Sequence, residues 1–457
     1  MSESERSRAN RRDLGDAIPQ RRGARTARLA SLPLGVAGRA TLGLGRRMTG
    51  RSAADVQAEL QAKTAEQLFT VLGSLKGGAM KLGQALSVFE AALPEESAAP
   101  YREALTKLQE AAPPMSAPAV RRVLDEQFGR RWPDRFQQFD EIPAAAASIG
   151  QVHHAVWSDG REVAVKLQYP GAGAALLADL SQLTRFARLF SRFSPGLDVK
   201  PLLAEIRERV LEELDYTQEA DAQRAFAAGF ADDPDIAAPR VVASAPKAIV
   251  TEWMTGTPLS KVIATGTQDE RDRAGSLLAL LHYSAPAKCE LLHADPHPGN
   301  FRMLADGRLG VLDFGAVARL PGGYPESLGR LTRLAVEGDQ NGAMARLREL
   351  GFIRPGIAID PADVFDFLGP MVEPLREPTF TFSRQWMREQ AARIVDPRRD
   401  EAKVARQLNL PPSYMLIHRV TLGTVGVLCQ LEATAPFRSL AETWQPGFAT
   451  TPDGASE

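Results

Sequence analysis

The sequence predicts an α+β fold in two parts, a small part built on a strand hairpin and a larger, mostly helical part that follows it. Between residues 149 and 167, apolar and polar residues alternate with the two-residue period of a strand. After residue 269, apolar residues recur at helical spacing in successive segments. At 457 residues and 44% hydrophobic content, the chain is long enough to bury a large core divided among two or three domains.

The chain begins with a basic arm, residues 1–51, which contains twelve arginines and four acidic residues although the net charge of the whole chain is −1. Its high content of Arg, Ala and Gly, interrupted by Pro33, predicts disorder. The alternative is a peripheral membrane contact, in which Leu32 and Leu42 meet lipid while Arg39 and Arg46 meet anionic headgroups. Attraction to an anionic surface is therefore expected in this arm.

Cysteine content and hydropathy indicate the compartment. Cys289 and Cys429 are the only cysteines and provide no disulfide framework, which favours a reducing environment. No segment reaches the roughly 18 uninterrupted apolar residues of a membrane-spanning helix, and the nearest approach, residues 414–431, is interpreted as a buried helix. We expect a cytoplasmic protein that touches the inner face of a membrane through its arm and has no nucleic-acid partner.

Four further segments follow the arm. They are a helical extension that contains Lys81-Leu82-Gly83-Gln84, the small part, the large helical part and a C-terminal tail, predicted over residues 52–130, 131–254, 255–435 and 436–457. Pro113-Pro114 stops the last helix of the extension, and period-two alternation begins after Phe136.

The most informative motif runs from His293 to Asn300 and is followed by Asp313-Phe314-Gly315. In phosphoryl-transfer enzymes an Asp orients or deprotonates the acceptor hydroxyl, an Asn five residues later binds magnesium, and the Asp of an Asp-Phe-Gly element holds the metal on the phosphates. Asp295, Asn300 and Asp313 match these roles in order and spacing. We therefore expect them to converge on one Mg²⁺ ion that carries the phosphates of ATP or ADP.

A zinc site is the alternative reading of the same region. His293, His297 and Cys289 lie close to Asp295 in sequence and are potential zinc ligands. The interleaved prolines instead favour an extended loop. The same run is similar to the motif of aminoglycoside and choline kinases, in which the histidines are structural.

A hairpin is predicted between residues 149 and 167, with Asp159-Gly160 as its tight turn. Its second strand contains Val163-Ala164-Val165-Lys166, the pattern with which kinase small lobes direct a lysine to the α- and β-phosphates of the nucleotide. A charged ammonium there requires a carboxylate partner from a helix. The helix predicted over residues 200–226 offers several acidic residues for that role.

A later strand, residues 248–251, leads into a short connector, residues 252–256, before the next helix. In kinase folds such a connector binds the adenine through main-chain groups. Glu252 and Met254 are therefore candidates for contact with the nucleotide base.

Together these motifs resemble the UbiB/AarF family of atypical protein-kinase-like proteins, also called ABC1-type, over residues 70–435. Beside the Asp295/Asn300/Asp313 set, the resemblance rests on three features: Lys81-Leu82-Gly83-Gln84 for the Lys-x-Gly-Gln signature, Ala145-Ala146-Ala147-Ser148 for the Ala-rich loop, and Glu213-Leu214-Asp215 for the Glu-x-Asp pattern. It implies a two-lobed protein-kinase-like fold with an added N-terminal helical extension.

The resemblance also implies individual roles. Lys166 would pair with Glu219, Asp295 would be the catalytic base, and Asn300 and Asp313 would hold the metal. The Ala-rich loop, residues 145–148, would cover the nucleotide phosphates. Because Ala resists the positive φ angles of the glycines in ordinary kinases, we expect this loop to be stiffer and more helical than theirs.

A gating role is implied for the extension. Lys81 and Gln84 would lie on a helix over the active site, with Lys81 near Glu213 and Asp215. A helix in that place would exclude bulky peptide acceptors.

The expected function is that of an ATP-dependent atypical kinase or ATPase that acts on, or is driven by, lipid-like small molecules, with ATP/ADP and Mg²⁺ as cofactors. A link to isoprenoid quinone biosynthesis, and with it a quinone-precursor partner, is implied by the family resemblance. Two alternatives stay open: a small-molecule phosphotransferase similar to aminoglycoside or choline kinases, and a nucleotide-gated, lipid-binding, chaperone-like module.

Overall fold

A computed structural model describes residues 114–147, 149–174, 177, 214–395 and 399–449. These residues form a mixed α+β fold, as predicted, and divide into two compact units. The first unit comprises the described residues up to Asp221 together with Arg240–Trp253, and the second comprises Ala222–Pro239 and the residues from Met254 onward.

A six-stranded antiparallel sheet forms the first unit, with strand order β1-β3-β4-β7-β6 and β2 also paired with β3. The strands are β1 Phe136–Phe139, β2 Ala145–Ala147, β3 Gly150–Trp157, β4 Glu162–Gln168, β6 Val241–Ala245 and β7 Ala248–Glu252, while β5 Ile236–Ala237 belongs to the second unit. The hairpin prediction is confirmed, because β3 and β4 pair along their length and Gly160 takes a φ of 89° in the turn.

Helix α1, Ala117–Phe128, packs on one face of this sheet. Its Val120, Val123 and Leu124 join one buried cluster with Val163 and Val165 of β4. The helix falls in the range assigned to the N-terminal extension, but its apolar face belongs to the core of the first unit. Residues 1–113, which include Lys81 and Gln84, lie outside the described residues.

Helix α2, Tyr216–Gly229, begins in the first unit and ends in the second. The prediction of an unbroken helix over residues 200–226 is wrong at Leu214 and Asp215, which are not helical. Asp215 Oδ1 accepts hydrogen bonds from the backbone N–H of Thr217 at 3.0 Å and from its hydroxyl at 2.7 Å. This is the arrangement of an N-cap, which starts a helix instead of continuing one.

The second unit is mostly helical. Its helices are α3 Leu259–Thr265, α4 Gln268–Cys289, α5 Glu326–Glu337, α6 Gln340–Glu349, α7 Pro361–Val372, α8 Arg384–Val395, α9 Asp400–Gln407, α10 Pro412–Leu431 and α11 Phe437–Trp444. Its short strands are β8 Thr257–Pro258, β9 Leu291–His293, β10 Phe301–Met303, β11 Leu309–Val311, β12 Val317–Arg319, β13 Phe380–Thr381 and β14 Thr434–Ala435. They form a four-stranded sheet, β5-β11-β10-β8, and the pairs β12-β9 and β13-β14.

Helices α4 and α10 pack together in the interior of the second unit. Thr267 and Glu270 form a capping box at the start of α4. Among the described residues, α10 is the one helix long and apolar enough to cross a membrane, yet 56% of its apolar window is buried inside the protein. Residues 414–431, for which the sequence predicts a buried helix, do form part of a helix, and its buried positions include Val420, Val427 and Leu431.

The segment assigned to a C-terminal tail is folded as far as residue 449. Helix α11 buries Phe437 and Ala441, and Phe448 is buried after it. A Cβ added to Gly329 of α5 would lie 2.0 Å from the carbonyl oxygen of Pro446, so this segment lies directly against α5. Sequence patterning missed the helix because it is only eight residues long.

Candidate active site

Lys166 forms a buried ion pair in the first unit. Its Nζ lies 2.7 Å from Glu219 Oε1, and the two side chains are 15% and 6% exposed. The Nζ also lies 5.1 Å from the centre of the Tyr216 ring, within the range of a cation–π interaction. The structure thus joins the strand lysine to the acidic residue that the family resemblance implies.

Local sequence explains why Glu219 reaches this place. Tyr216 and Glu219 are three residues apart on the first turn of α2 and so share one face of the helix. The N-terminal end of a helix favours a carboxylate, and the Asp215 cap sets where that end lies. Asp215, which is implied as a partner of Lys81, therefore has a structural role in placing Glu219.

Asp295 and Asn300 belong to the loop that follows β9 in the second unit. The side-chain Nδ2 of Asn300 donates to the backbone oxygen of Asp295 at 3.0 Å, and the backbone N–H of Asn300 donates to the His297 oxygen at 3.0 Å. Asn300 is 7% exposed. Because its amide nitrogen is bonded to the loop, Oδ1 is the side-chain atom with which Asn300 would bind a metal ion.

Asp313 is connected to the same loop by backbone hydrogen bonds. The N–H of Leu312 donates to the Asn300 oxygen at 2.9 Å, and His293 Nε2 lies 2.7 Å from the Asp313 backbone oxygen. Asp313 Oδ1 accepts from the N–H of Gly315 at 2.9 Å, which orients the carboxylate. Asp295, Asn300 and Asp313 are therefore brought into one hydrogen-bonded region, which we call the acidic loop region.

Both histidines of the motif have structural partners in this region. His293 packs against the rings of Phe301 and Phe314, and His297 Nδ1 accepts from the N–H of Gly299 at 3.1 Å. Burial lowers the pKa of His297, and the negative charge of Asp295 opposes that shift. A neutral imidazole is consistent with an acceptor role for Nδ1.

The donor set suits magnesium. Among the described residues, no group of three or more His, Cys, Asp or Glu side chains is placed to hold a metal ion. Magnesium is commonly held by one or two carboxylates together with substrate phosphates and water, so it does not need such a group. Asn300 and Asp313 are the residues that would hold it.

Two glycines that sequence reasoning missed shape the surroundings of the acidic loop region. A Cβ added to Gly423 of α10 would lie 2.9 Å from Cγ of Pro296, so α10 approaches the loop where only a glycine fits. A Cβ added to Gly256 in the connector would lie 2.6 Å from the oxygen of Met303. A glycine within a long helical pattern is the signal that could have identified Gly423.

The expectation that the Ala-rich loop is helical is wrong for its described part. Ala145, Ala146 and Ala147 form strand β2, in which Ala145 pairs with Val152 and Ala147 with Gly150. Strand β3 offers backbone donors and acceptors at its edge, and pairing with them satisfies the polar groups that a helix would otherwise satisfy. Ser148 and Glu213 lie outside the described residues.

The two candidates for base contact are Glu252, the last residue of β7, and Met254, in the connector that follows it. The backbone N–H of Glu252 donates to the Arg240 oxygen at 3.0 Å, and its carboxylate accepts from Arg161 Nη1 at 3.3 Å and from the N–H of Arg240 at 3.1 Å. Both the backbone amide and the side chain of Glu252 are therefore engaged in the first unit. Met254, in the second unit, directs its Sδ to within 2.8 Å of a Cβ added to Gly310.

Comparison with known proteins shows similarity to kinase-like proteins. A family model described as the ABC1 atypical kinase-like domain matches residues 107–347. The chain is 28% identical over 351 residues to the mitochondrial atypical kinase coq-8 of Caenorhabditis elegans, covering 74% of this chain and 46% of that protein. It is 30% identical over 344 residues to the mitochondrial atypical kinase COQ8 of Saccharomyces cerevisiae, covering 74% of this chain and 67% of that protein. The chain thus spans about half the length of the first of these relatives.

A solved structure is also similar. It is that of Rv3197 from Mycobacterium tuberculosis in complex with erythromycin, which matches with a TM-score of 0.68 and 48% sequence identity. The match covers 87% of this chain and 100% of that one.

Proposed function

The chain belongs to the UbiB/AarF family of ABC1 atypical kinase-like proteins, and on that premise we propose that it is an ATP-dependent atypical kinase or ATPase. The observation that carries the proposal is the acidic loop region, in which Asp295, Asn300 and Asp313 are joined by hydrogen bonds. Their chemistry suits phosphoryl transfer, in which a carboxylate orients the nucleophile and oxygen ligands hold magnesium on the phosphates.

Each residue has a proposed task. Asn300 and Asp313 hold Mg²⁺, which when bound neutralises charge on the nucleotide phosphates. Asp295 accepts the proton of the attacking water or hydroxyl group. Lys166, which pairs with Glu219 at 2.7 Å, binds the α- and β-phosphates, and the Ala-rich loop covers them. Lys81 and Gln84 would gate the site together with Glu213 and Asp215.

The proposed acceptor or activator is a lipid-like small molecule, and the pathway is isoprenoid quinone biosynthesis, as the family resemblance implies. The arm, residues 1–51, would hold the protein at the inner face of a membrane, where such molecules are found. One observation favours a second candidate, a nucleotide-gated binding module. The similar Rv3197 structure contains erythromycin, a bulky and largely apolar molecule, so a site for ligands of that kind is proposed here.

The metal role predicts the effect of Asp313→Asn. Loss of one ligand charge should weaken Mg-ATP binding by about 10-fold or more, the scale seen when even an outer partner of a metal is removed. Titration calorimetry with Mg-ATP, repeated with EDTA, measures this change. The control is Asp306→Asn, because Asp306 lies in the turn between β10 and β11, where its carboxylate accepts from the backbone N–H and the guanidinium of Arg308. Equal affinities of the parent protein and Asp313→Asn for Mg-ATP would refute the metal role.

Phosphate release separates the candidate functions. Strong stimulation by detergent-solubilised lipid or phenolic quinone precursors supports the kinase or ATPase. A phosphorylated aminoalcohol without such stimulation supports the choline-kinase-like alternative. Bound, unhydrolysed nucleotide together with retained lipid supports the binding module.

A further inference from the structure

The hairpin formed by β10 and β11 has both proposed metal ligands at its ends. Asn300 directly precedes β10, and Asp313 lies two residues after β11. The strands pair antiparallel, with Phe301 opposite Val311 and Met303 opposite Leu309. A displacement of this hairpin would therefore move both metal ligands together.

The connector lies against the same hairpin, within the second unit. Strand β8 pairs with β10, with Pro258 opposite Arg302 and Thr257 opposite Met303. Gly256 lies so close to β10 that an added Cβ would be 2.6 Å from the Met303 oxygen. Only glycine permits this approach.

The side chain of Arg302, on β10, forms a hydrogen bond to the connector. It is partly buried, and its Nη1 donates to the backbone oxygen of Gly256 at 3.0 Å. A guanidinium gives a charge-assisted hydrogen bond that a neutral donor does not match. On the second strand, Met254 Sδ lies 2.8 Å from a Cβ added to Gly310, so the start of the connector lies against β11.

We propose that Arg302 is a positioning residue that fixes the connector on the metal-binding hairpin and so sets the selectivity of the site for the nucleotide base. This inference rests on the proposed function, in which main-chain groups of the connector bind that base. Arg302 acts through Gly256 and has no task at the phosphates. Substitution of Arg302 should therefore change the discrimination between ATP and GTP more than it changes the binding of magnesium and the phosphate groups.

The test is the ratio of the affinities for Mg-ATP and Mg-GTP, measured by titration calorimetry. In Arg302→Leu the connector loses its anchor, and we expect affinity for ATP to fall by about 10-fold, the factor that corresponds to one charge-assisted hydrogen bond. Affinity for GTP should fall less, so the ratio moves toward one. Arg302→Lys retains a charged donor and should restore part of the ratio.

The control is Arg308→Leu. Arg308 is in the turn of the same hairpin, and its guanidinium pairs with exposed Asp306, so the ratio should equal that of the parent protein. A merely structural role of Arg302 would weaken both nucleotides equally and leave the ratio unchanged, which overturns the inference. A parent protein that binds ATP and GTP equally would also overturn it.

Failure of the inference is distinguishable from failure of the proposed function. A parent protein that binds no Mg-ATP contradicts the proposed function, whereas binding with an unchanged ratio in Arg302→Leu contradicts the inference alone. If Arg302→Leu does not fold, as thermal unfolding would reveal, Gly256→Ala provides the second variant. Its new Cβ must push the connector away from the Met303 oxygen, so the ratio should again fall, and an unchanged ratio there overturns the inference.

Discussion

At the scale of single residues, the ion pair of Lys166 and Glu219 affects both the folding stability and the proposed function. Both side chains are largely buried and bonded at 2.7 Å, and the Tyr216 ring adds a second partner for the ammonium. Burial of two charges is costly, so such a pair is weak evidence of net stabilisation. Removal of only one member, however, takes the opposite charge of this pair away from a side chain that stays buried, which is costly.

This predicts that Glu219→Gln lowers the free energy of unfolding by about 3 kcal/mol, the usual cost of breaking a buried pair. Urea unfolding measures the change. Asp134→Asn is the matched control, because Asp134 and its partner Arg131 are 62% and 92% exposed and an exposed pair contributes less than about 1 kcal/mol. Equal effects of the two substitutions would contradict the buried pair.

At the scale of elements, α10 supports the acidic loop region by close approach. Gly423 allows the helix to lie against Pro296, directly after Asp295. A glycine within a helix normally costs stability relative to alanine, about 1 kcal/mol. Its presence here is explained by the space that the proline ring occupies.

Gly423→Ala should therefore reduce ATP turnover, because the added Cβ displaces the loop that carries Asp295. Alanine also favours the helix, so the melting temperature should fall little or even rise. Turnover and thermal unfolding, measured together, reveal this separation. Leu422→Ala is the control on the same helix, since Leu422 is 39% exposed. Unaltered turnover in Gly423→Ala would mean that the loop tolerates the displacement.

At the scale of the whole molecule, the proposed tasks are divided between two units. The first contains the pair of Lys166 and Glu219, and the second contains the acidic loop region. Charge is also divided unevenly, because twelve arginines lie in residues 1–51 of a chain whose net charge is −1. The arm is outside the described residues, and its membrane contact stays a prediction.

Deletion of residues 1–51 should weaken binding to anionic phospholipid vesicles. Each basic residue near such a surface contributes about 1 kcal/mol, so we expect a loss of at least about 10-fold at low salt. Co-sedimentation at rising salt concentration is the measurement, with neutral vesicles as the control. Full binding by the truncated chain would place the membrane contact elsewhere.

Sequence patterns predicted those elements whose periodicity and turn residues lie within one short segment of the chain. The hairpin between residues 149 and 167 was predictable because the alternation and the tight turn lie within one segment, and Gln151 and His153 of its first strand are buried. Patterning failed where a neighbour decided the structure. The described part of the Ala-rich loop is a strand because β3 pairs with it, and the described part of the helix predicted over residues 200–226 begins only after the Asp215 cap.

The sequence by itself determined the chemistry of the candidate site, because Asp295, Asn300 and Asp313 lie within one short stretch whose spacing is typical of phosphoryl transfer. The tertiary structure decided which residues from other parts of the chain lie near these three side chains. Arg302 is 46 residues from Gly256, and Gly423 is far from Pro296 in sequence, so no local pattern connects either pair. Such contacts depend on how helices and strands pack, and packing is set by the shape and burial of residues from distant parts of the chain.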